Sequence, residues 1–403
     1  MPPLLYFEPR VGRAFAYCPA SGGVFELMPD EYEVLLRKDP PGAYRHLLDQ
    51  MRAYSGPKRS VSDFIGHLTS IGILHDRLSF PVNLILELTT ACNLRCAHCY
   101  VPAGEPRQNE LGTEEWVSLI RSAASYAVRV VLTGGEPLIH PGLLDILAEA
   151  KKHRMAVRIL TNGTLLAERI EELSDLLDPR IDSFQVSIDG TKEVHDAIRG
   201  EGTFDKAMAG MRAAMERGYA VDVAYTVIPE NRDAALSLYR SLKGIPVRSF
   251  RVAWGVSVGR LEHSVSFSSF LDLVEALKHE SESVGIPVAY ESRSELPVTP
   301  DSVYTCPAGV SQVFISSTGD VYPCPLFRFP EFHMGNVRSS DLLSIWREGE
   351  WHRLRRNLSG TPCASCPLFL SCRGGCPARA YLVSGTVDAP APDCRWLNGG
   401  GKP

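Results

Sequence analysis

The chain has 403 residues, enough for two or three domains with cores of their own, and 44% of them are apolar, an ordinary globular share. With 42 basic against 47 acidic residues the formal charge is −5, which gives no electrostatic case for nucleic acid or an acidic membrane as partner. The N-terminus lacks a basic segment followed by a long apolar stretch, so neither a signal peptide nor a membrane span is expected.

Residues 4–7 and 14–18 pattern as short strands joined by a turn over 9–12, and 23–28 as a third strand. Pro29-Asp30 opens a helix carrying Tyr32, Val34, Leu35 and Leu36; helical patterns follow over 43–54 and 61–71, and the unit closes at 72–74. Cys18 falls on a strand and reads as a small buried hydrophobe. Strands followed by three helices over 1–80 resemble the winged-helix-like, PqqD-like domain that binds leader peptides in ribosomally made peptide pathways. The resemblance implies that a leader adds a strand to a sheet edge and packs on a helix. The plainer alternative is a structural cap.

From residue 83 strands and helices alternate. Strands are expected over 83–88, 128–132, 156–160, 183–188, 221–227 and 249–253. Helices are expected over 113–126, with Thr113 as N-cap, and over 142–153, 165–177, 204–218 and 234–242. Such a series argues for a parallel sheet with right-handed crossovers, its chemistry at the C-terminal ends of the strands. A helix then runs from 265 to about 284, and a polar connection, 291–300, follows.

The first of those loops reads T-T-A-C-N-L-R-C-A-H-C-Y over 89–100. Cys92, Cys96 and Cys99 can hold three corners of a [4Fe–4S] cube and leave the fourth iron open. The same thiols with His98 would also suit zinc. The second strand ends in Gly134-Gly135-Glu136-Pro137, where two glycines permit close backbone approach. The two motifs together resemble the signature of the radical SAM superfamily. That resemblance implies a partial (β/α)6 TIM-like barrel over 81–265. It implies S-adenosylmethionine bound through its amino and carboxylate groups to the open iron, and its cleavage by one electron to methionine and a 5′-deoxyadenosyl radical. It implies that Gly134 to Pro137 hold the methionine ammonium, with Glu136 accepting from it. Ser187 and Asp189 would meet the ribose hydroxyls or the methionine carboxylate, and Arg199 would pair with that carboxylate. Asn162 and Asn231 are further loop-end candidates, and His98 and Tyr100 would neighbour the adenine. Turn chemistry or a solvated charge is the alternative for the polar loop-end side chains.

Seven more cysteines stand at 306, 324, 363, 366, 372, 376 and 394. A secreted disulfide scaffold would be short and cysteine-dense throughout. Two clusters separated by a long cysteine-poor middle fit metal ligation in a reducing cytosol, and a cytoplasmic location is expected. A turn at Gly319-Asp320 between strands 313–316 and 321–322 would bring Cys306 and Cys324 into one neighbourhood. The spacing looks like the SPASM domain, which implies two auxiliary iron–sulfur clusters. Cys363, Cys366, Cys372 and Cys394 would hold the outer one, and Cys306, Cys324 and Cys376 the inner one. The inner cluster would then have an open iron, a non-cysteine ligand or a smaller core. A pair of zinc ribbons is the alternative for this field.

The layout is thus a recognition domain (1–80), a radical SAM core (81–265), a bridging helix and linker (266–300) and a SPASM domain (301–403). Proteins resembling it are mostly peptide maturases, which implies a precursor peptide as partner and a flavodoxin- or ferredoxin-type electron donor. The alternatives are a dehydrogenase of a small molecule (an aminoglycoside or tetrapyrrole) or of a protein residue, and a non-catalytic iron–sulfur electron carrier. The intact cysteine loop argues against the last. Asp320 and the acids of 291–301 are positional candidates for a general base. Cys96→Ala should abolish 5′-deoxyadenosine formation, assayed anaerobically by chromatography; undiminished formation would detach the loop from the chemistry.

Overall fold

The computed structural model describes residues 2–39, 41–74, 77–101, 103–290, 306–367, 369–392, 394 and 397. The connection expected over 291–300 and the acids of 291–301 lie outside the described residues.

Strands β1 (Leu4–Glu8), β2 (Arg13–Cys18) and β3 (Gly23–Leu27) form an antiparallel meander in that order. Helices Pro29–Arg37, Pro41–Arg52 and Val61–Leu74 follow. The central strand alternates small and large residues, and both of its faces are buried. Ala14, Ala16 and Cys18 pack with Leu35, Leu48 and Met51 of the first two helices. Phe15 and Tyr17 pack with Phe64, Ile65 and Leu68 of the third. That third helix also reaches Val82, Val128, Ala156 and Ile181, which lie at the N-terminal ends of the barrel strands. The N-terminal unit is therefore seated on the end of the sheet opposite the cysteine loop.

The six expected strands appear as β4 (Asn83–Glu87), β5 (Arg129–Thr133), β6 (Ala156–Thr161), β7 (Ser183–Ser187), β8 (Ala220–Val227) and β9 (Ser249–Trp254). Each is parallel to the next. The sheet continues past both edges. β10 (Val288–Tyr290) pairs in parallel with β9. β11 (Gln312–Ile315) pairs in parallel with β4, and β12 (Asp320–Tyr322) and β13 (Gly335–Asn336) extend it antiparallel. The result is an open ten-stranded sheet in the order β10-β9-β8-β7-β6-β5-β4-β11-β12-β13, not a closed barrel. The C-terminal region thus begins as an extension of the core sheet, covering an edge that would otherwise present unpaired backbone groups. The turn at Gly319 forms as expected: its φ is +89°, and Phe314 faces Tyr322.

Two local expectations are corrected. Gly112, not Thr113, caps the helix Thr113–Ser122, because Glu115 Oε2 accepts from the Gly112 N–H at 2.8 Å. Residues 192–199, a stretch with no helix expected, form the helix Lys192–Arg199. Among the described residues no helix is long and apolar enough to cross a membrane.

Phe64 is fully buried at the joint between the N-terminal unit and the sheet. Phe64→Ala is expected to cost about 3–5 kcal/mol, measured by denaturant unfolding. Amide exchange should rise most across β1 to β3, which lean on this helix.

Candidate functional site

The cysteine loop leaves the end of β4 and is tied down along its whole length. Ala91 and Gly104 form an isolated parallel bridge, with Cys92 N–H donating to the Gly104 carbonyl at 2.9 Å. Glu110 accepts from Thr89 Oγ1 (2.6 Å), Thr90 N (2.7 Å), Thr90 Oγ1 (2.8 Å) and Arg107 N (3.0 Å). Burial opposes its charge, but those bonds outweigh burial and hold the carboxyl below its usual range. On the far side, Arg260 N donates to the Cys99 carbonyl at 2.9 Å. The Arg260 guanidinium reaches the carbonyls of Cys96 (2.8 Å) and Ala103 (3.0 Å). Gly259, at φ +68°, lies so close that a Cβ there would stand 2.3 Å from the Cys99 carbonyl oxygen. Neither Gly259 nor Arg260 belongs to a motif visible in the sequence.

Gly134 and Gly135 press on the same loop. A Cβ on Gly134 would stand 2.3 Å from the Thr89 carbonyl oxygen, and one on Gly135 2.2 Å from that of Ala91. The N–H groups of Gly135 and Glu136 donate to those two carbonyls at 2.8 and 2.9 Å. The close approach these glycines permit is therefore to the chain's own backbone. Glu136 is fully buried. Its oxygens accept from Leu138 N (3.0 Å), Thr161 Oγ1 (2.8 Å) and Asn162 N (2.7 Å), bracing the end of β5 to the end of β6. Burial pushes its carboxyl up to about 7 against those bonds. Pro137 opens a short 3₁₀ turn after it.

At the end of β7, Asp189 is fully buried between Arg199 and His98. Arg199 donates to Oδ2 from Nε and Nη2, each at 2.6 Å, and His98 Nε2 lies 3.1 Å from the same oxygen. Oδ1 accepts from Thr226 N at 2.8 Å. Burial opposes ionisation, but Arg199 first and then His98 overcome it and hold the carboxyl well below the usual range. Arg199 turns Nη1 towards Cys96, 3.8 Å from Sγ. The Asp189 N–H donates to His195 Nδ1 at 3.1 Å. Burial, then Arg199, lowers His195 to about 4, so its ring is neutral.

The other candidates fall as follows. Asn162 Nδ2 donates to Asn93 Oδ1 at 2.8 Å and lies 4.0 Å from Cys92 Sγ, while its Oδ1 accepts from Thr164. Asn231 is fully buried and bonds Ile228 N, Thr226 O and Asp189 O, so the structure makes it a turn brace. Ser187 closes β7, half-buried. His98 Nδ1 is buried without a hydrogen-bond partner. Tyr100 is 40% exposed, with Glu87, Arg328, Cys99 and Cys324 as neighbours. Asp320 accepts from Thr318 Oγ1 and Asn336 Nδ2 within its own hairpin.

All eleven cysteines are free thiols. In the first loop, burial pushes Cys92 up to about 11, and Glu136, Cys96 and Cys99 add to it. Three thiols in one neighbourhood beside the Arg199 cation suit an anionic iron–sulfur group with one open iron. Among the described residues, however, no three His, Cys, Asp or Glu side chains are closed around a point as a metal requires. In the C-terminal field, burial pushes Cys324 well up, with Cys306 and Cys376 as neighbours that add to it. Burial also raises Cys363, beside Cys394 and Cys366, and Cys372, beside Cys394 and Cys363. Arg356 stands between the two sets and spends its N–H groups on five backbone carbonyls, those of Arg373, Gly374, Gly375, Val387 and Ala389. The end of β4 meets this field through the buried Glu87, which pairs with Arg328 and accepts from Ser317 N at 3.1 Å.

Residues 86–242 match the family model of the radical SAM superfamily, and residues 306–367 that of the SPASM iron–sulfur cluster-binding domain. The chain is 30% identical over 339 residues to the mycofactocin maturase MftC of Mycobacterium tuberculosis, covering 79% of this chain and 83% of that protein. It is 27% identical over 343 residues to an AdoMet-dependent heme synthase of Oleidesulfovibrio alaskensis, covering 77% and 86%. Its fold is similar to that of Streptococcus suis SuiB bound to precursor peptide SuiA, with a TM-score of 0.69 at 17% identity over 94% and 95% of the two chains.

His195 makes the fold pH-sensitive with a defined sign. Its folded value, about 4, lies below the ordinary 6.5, so between these the unfolded chain binds the extra proton. Its contribution is complete above about pH 6.5 and is lost as pH falls towards 4, by up to about 1.4 kcal/mol per pH unit. His195→Asn keeps an acceptor for the Asp189 N–H but cannot titrate, so its unfolding free energy should fall less steeply across that window.

Proposed function

The chain belongs to the radical SAM superfamily, and from that premise we propose that it is a peptide maturase. It cleaves S-adenosylmethionine reductively and takes hydrogen from a ribosomally made precursor peptide, leaving an oxidative cross-link or a related modification. The observation that carries this reading is the join between two cysteine sites. The loop of Cys92, Cys96 and Cys99 and the field around Cys324 meet across Glu87, Arg328 and Tyr100 at the C-terminal end of β4.

In this reading Cys92, Cys96 and Cys99 hold a [4Fe–4S] cluster. Cys306, Cys324 and Cys376 hold an inner auxiliary cluster, and Cys363, Cys366, Cys372 and Cys394 an outer one. When bound, the first cluster and S-adenosylmethionine supply the 5′-deoxyadenosyl radical. The chain's own residues do the positioning. Asp189 fixes Arg199 beside Cys96, where its charge balances the thiolates and its remaining N–H groups face an incoming carboxylate. The carbonyls near Gly134 and Gly135 suit an ammonium group, a role that Glu136, with its oxygens engaged in the fold, does not serve directly. His98 Nδ1 suits an adenine neighbour.

The peptide as substrate is supported by the relation to MftC and by the N-terminal unit. Among the described residues β1 and β3 each pair only with β2, so two sheet edges can accept an added strand. Met28, just ahead of the helix after β3, and Leu36 on it are exposed, 65% and 49%, as an apolar leader contact would be. We keep 1–80 as the recognition domain, 81–265 as the core, 266–300 as the bridge and 301–403 as the SPASM domain. Eleven free thiols suit the cytoplasm, and a flavodoxin- or ferredoxin-type donor would supply the electrons. A second reading, chemistry on a tetrapyrrole or another small molecule, rests on the relation to the heme synthase.

Anaerobic co-expression with short open reading frames beside the gene tests the proposal. A peptide that loses two hydrogens within a few residues, and does not with Cys96→Ala, is the expected result. An unmodified peptide from an enzyme still forming 5′-deoxyadenosine would favour the second reading.

A further inference from the structure

Towards the N-terminal end of the sheet, on its inner face, four guanidinium groups gather around one carboxylate. Asp222 of β8 is 1% exposed. Its Oδ2 accepts from Arg158 Nη2 and Arg248 Nη2, both at 2.5 Å; its Oδ1 accepts from Arg248 Nε at 2.9 Å and Ser249 Oγ at 2.7 Å. Arg129, at the start of β5, donates to Asn83 Oδ1 and to Ser62 Oγ of the N-terminal unit, each at 2.9 Å. Arg251 of β9 shares a face with Ser249, because alternate residues of a strand point the same way.

The donors outnumber the acceptors. Asp222 is the one carboxylate bonded to this set among the described residues. The Arg251 side chain makes no hydrogen bond or ion pair among them. Arg158 is only 9% exposed, yet its Nε is buried without a partner. Burial first, then the repulsion of Arg248 and Arg251, draws Arg129 down to about 10. Burial, opposed only by Asp222, draws Arg158 down to about 9, with Arg251 and Arg129 adding to the fall. Uncompensated buried charge of this kind is costly unless a counter-charge reaches it.

We propose that Arg251, Arg158 and Arg129 form a carboxylate-binding site on the inner face of the sheet, and that a carboxylate of the precursor peptide occupies it. The chemistry follows from the fork of guanidinium N–H groups, which matches a carboxylate, and from Asp222, a carboxylate that already bridges Arg158 to the neighbouring Arg248. The occupant follows from position. Gln185, bonded to Arg158 at 2.8 Å, precedes Ser187 by two residues on the same face, so the site lies about 7 Å along β7 from the catalytic end. Arg248, 37% exposed, marks its opening to solvent. The choice of occupant rests on the maturase reading; the site itself does not.

The test uses the cluster-loaded full chain, with sodium acetate replacing sodium chloride at constant ionic strength and the melting temperature as readout. The wild type should melt higher in acetate, saturably, and Arg251→Gln should lose that gain while melting in chloride at or above the wild type. Arg251→Lys, which keeps the charge, should retain part of the gain. No gain in the wild type, or an equal gain in Arg251→Gln, would overturn the site. With the precursor in hand, saturating acetate and Arg251→Gln should each raise its KM about tenfold and leave peptide-independent 5′-deoxyadenosine formation unchanged. Acetate binding without any change in KM would overturn the peptide as occupant and leave a free acid in its place.

Discussion

The site depends on one buried carboxylate. Asp189 ends β7, and through it three separate segments come into register: the helix Lys192–Arg199, by way of Arg199 and, through the Asp189 N–H, His195; the cysteine loop, by His98; and the end of β8, by Thr226. A carboxylate with no exposure is costly to desolvate, and an ion pair around it adds little net stability. Its value here is arrangement. Removing Arg199 would strand the buried carboxylate, and removing Asp189 the buried guanidinium, so the strand end and the helix are held to one another. The arrangement also sets a fixed cation beside Cys96, with Arg199 Nη1 3.8 Å from its Sγ.

The rest of the loop is held mainly by backbone contact. Gly134, Gly135 and Gly259 leave no room for a side chain between themselves and the carbonyls of Thr89, Ala91 and Cys99. Arg260 gathers two more of the loop's carbonyls from the opposite side. Loops at strand ends are ordinarily the mobile part of a parallel α/β protein. In this protein the strand-end loops around the cysteines are pinned to one another, and thiols three and four residues apart share one neighbourhood. Glu87 and Arg328 extend the same logic to the C-terminal field, whose first strand belongs to the core sheet.

Much of this was legible in the sequence, for identifiable reasons. The six core strands are apolar runs of useful length, each followed by a turn and a helical pattern. Their parallel pairing follows from that alternation. β10 and β11 are only three and four residues long, too short to carry a period, so the continuous ten-stranded sheet was not visible. The cysteine spacing and Gly-Gly-Glu-Pro drew attention to the right loops. Chemistry at single side chains was harder. Glu136 and Asn231 look like ligand groups in a loop, but three-dimensional packing uses their polar atoms within the fold. Gly259 and Arg260 touch the loop from about 160 residues away in sequence, and no local pattern announces that contact. The arginines around Asp222 come from β5, β6, β9 and the residue just ahead of β9; only the register assembles them.

The most direct test of the account follows the hydrogen atom. A precursor peptide identified by co-expression would be made perdeuterated and treated anaerobically with the loaded enzyme, S-adenosylmethionine and reductant. The 5′-deoxyadenosine would then be analysed by mass spectrometry. The account predicts deuterium in its methyl group, at a stoichiometry matching the modified peptide. 5′-Deoxyadenosine without deuterium, formed beside fully modified peptide, would contradict abstraction from the peptide and with it the central reading.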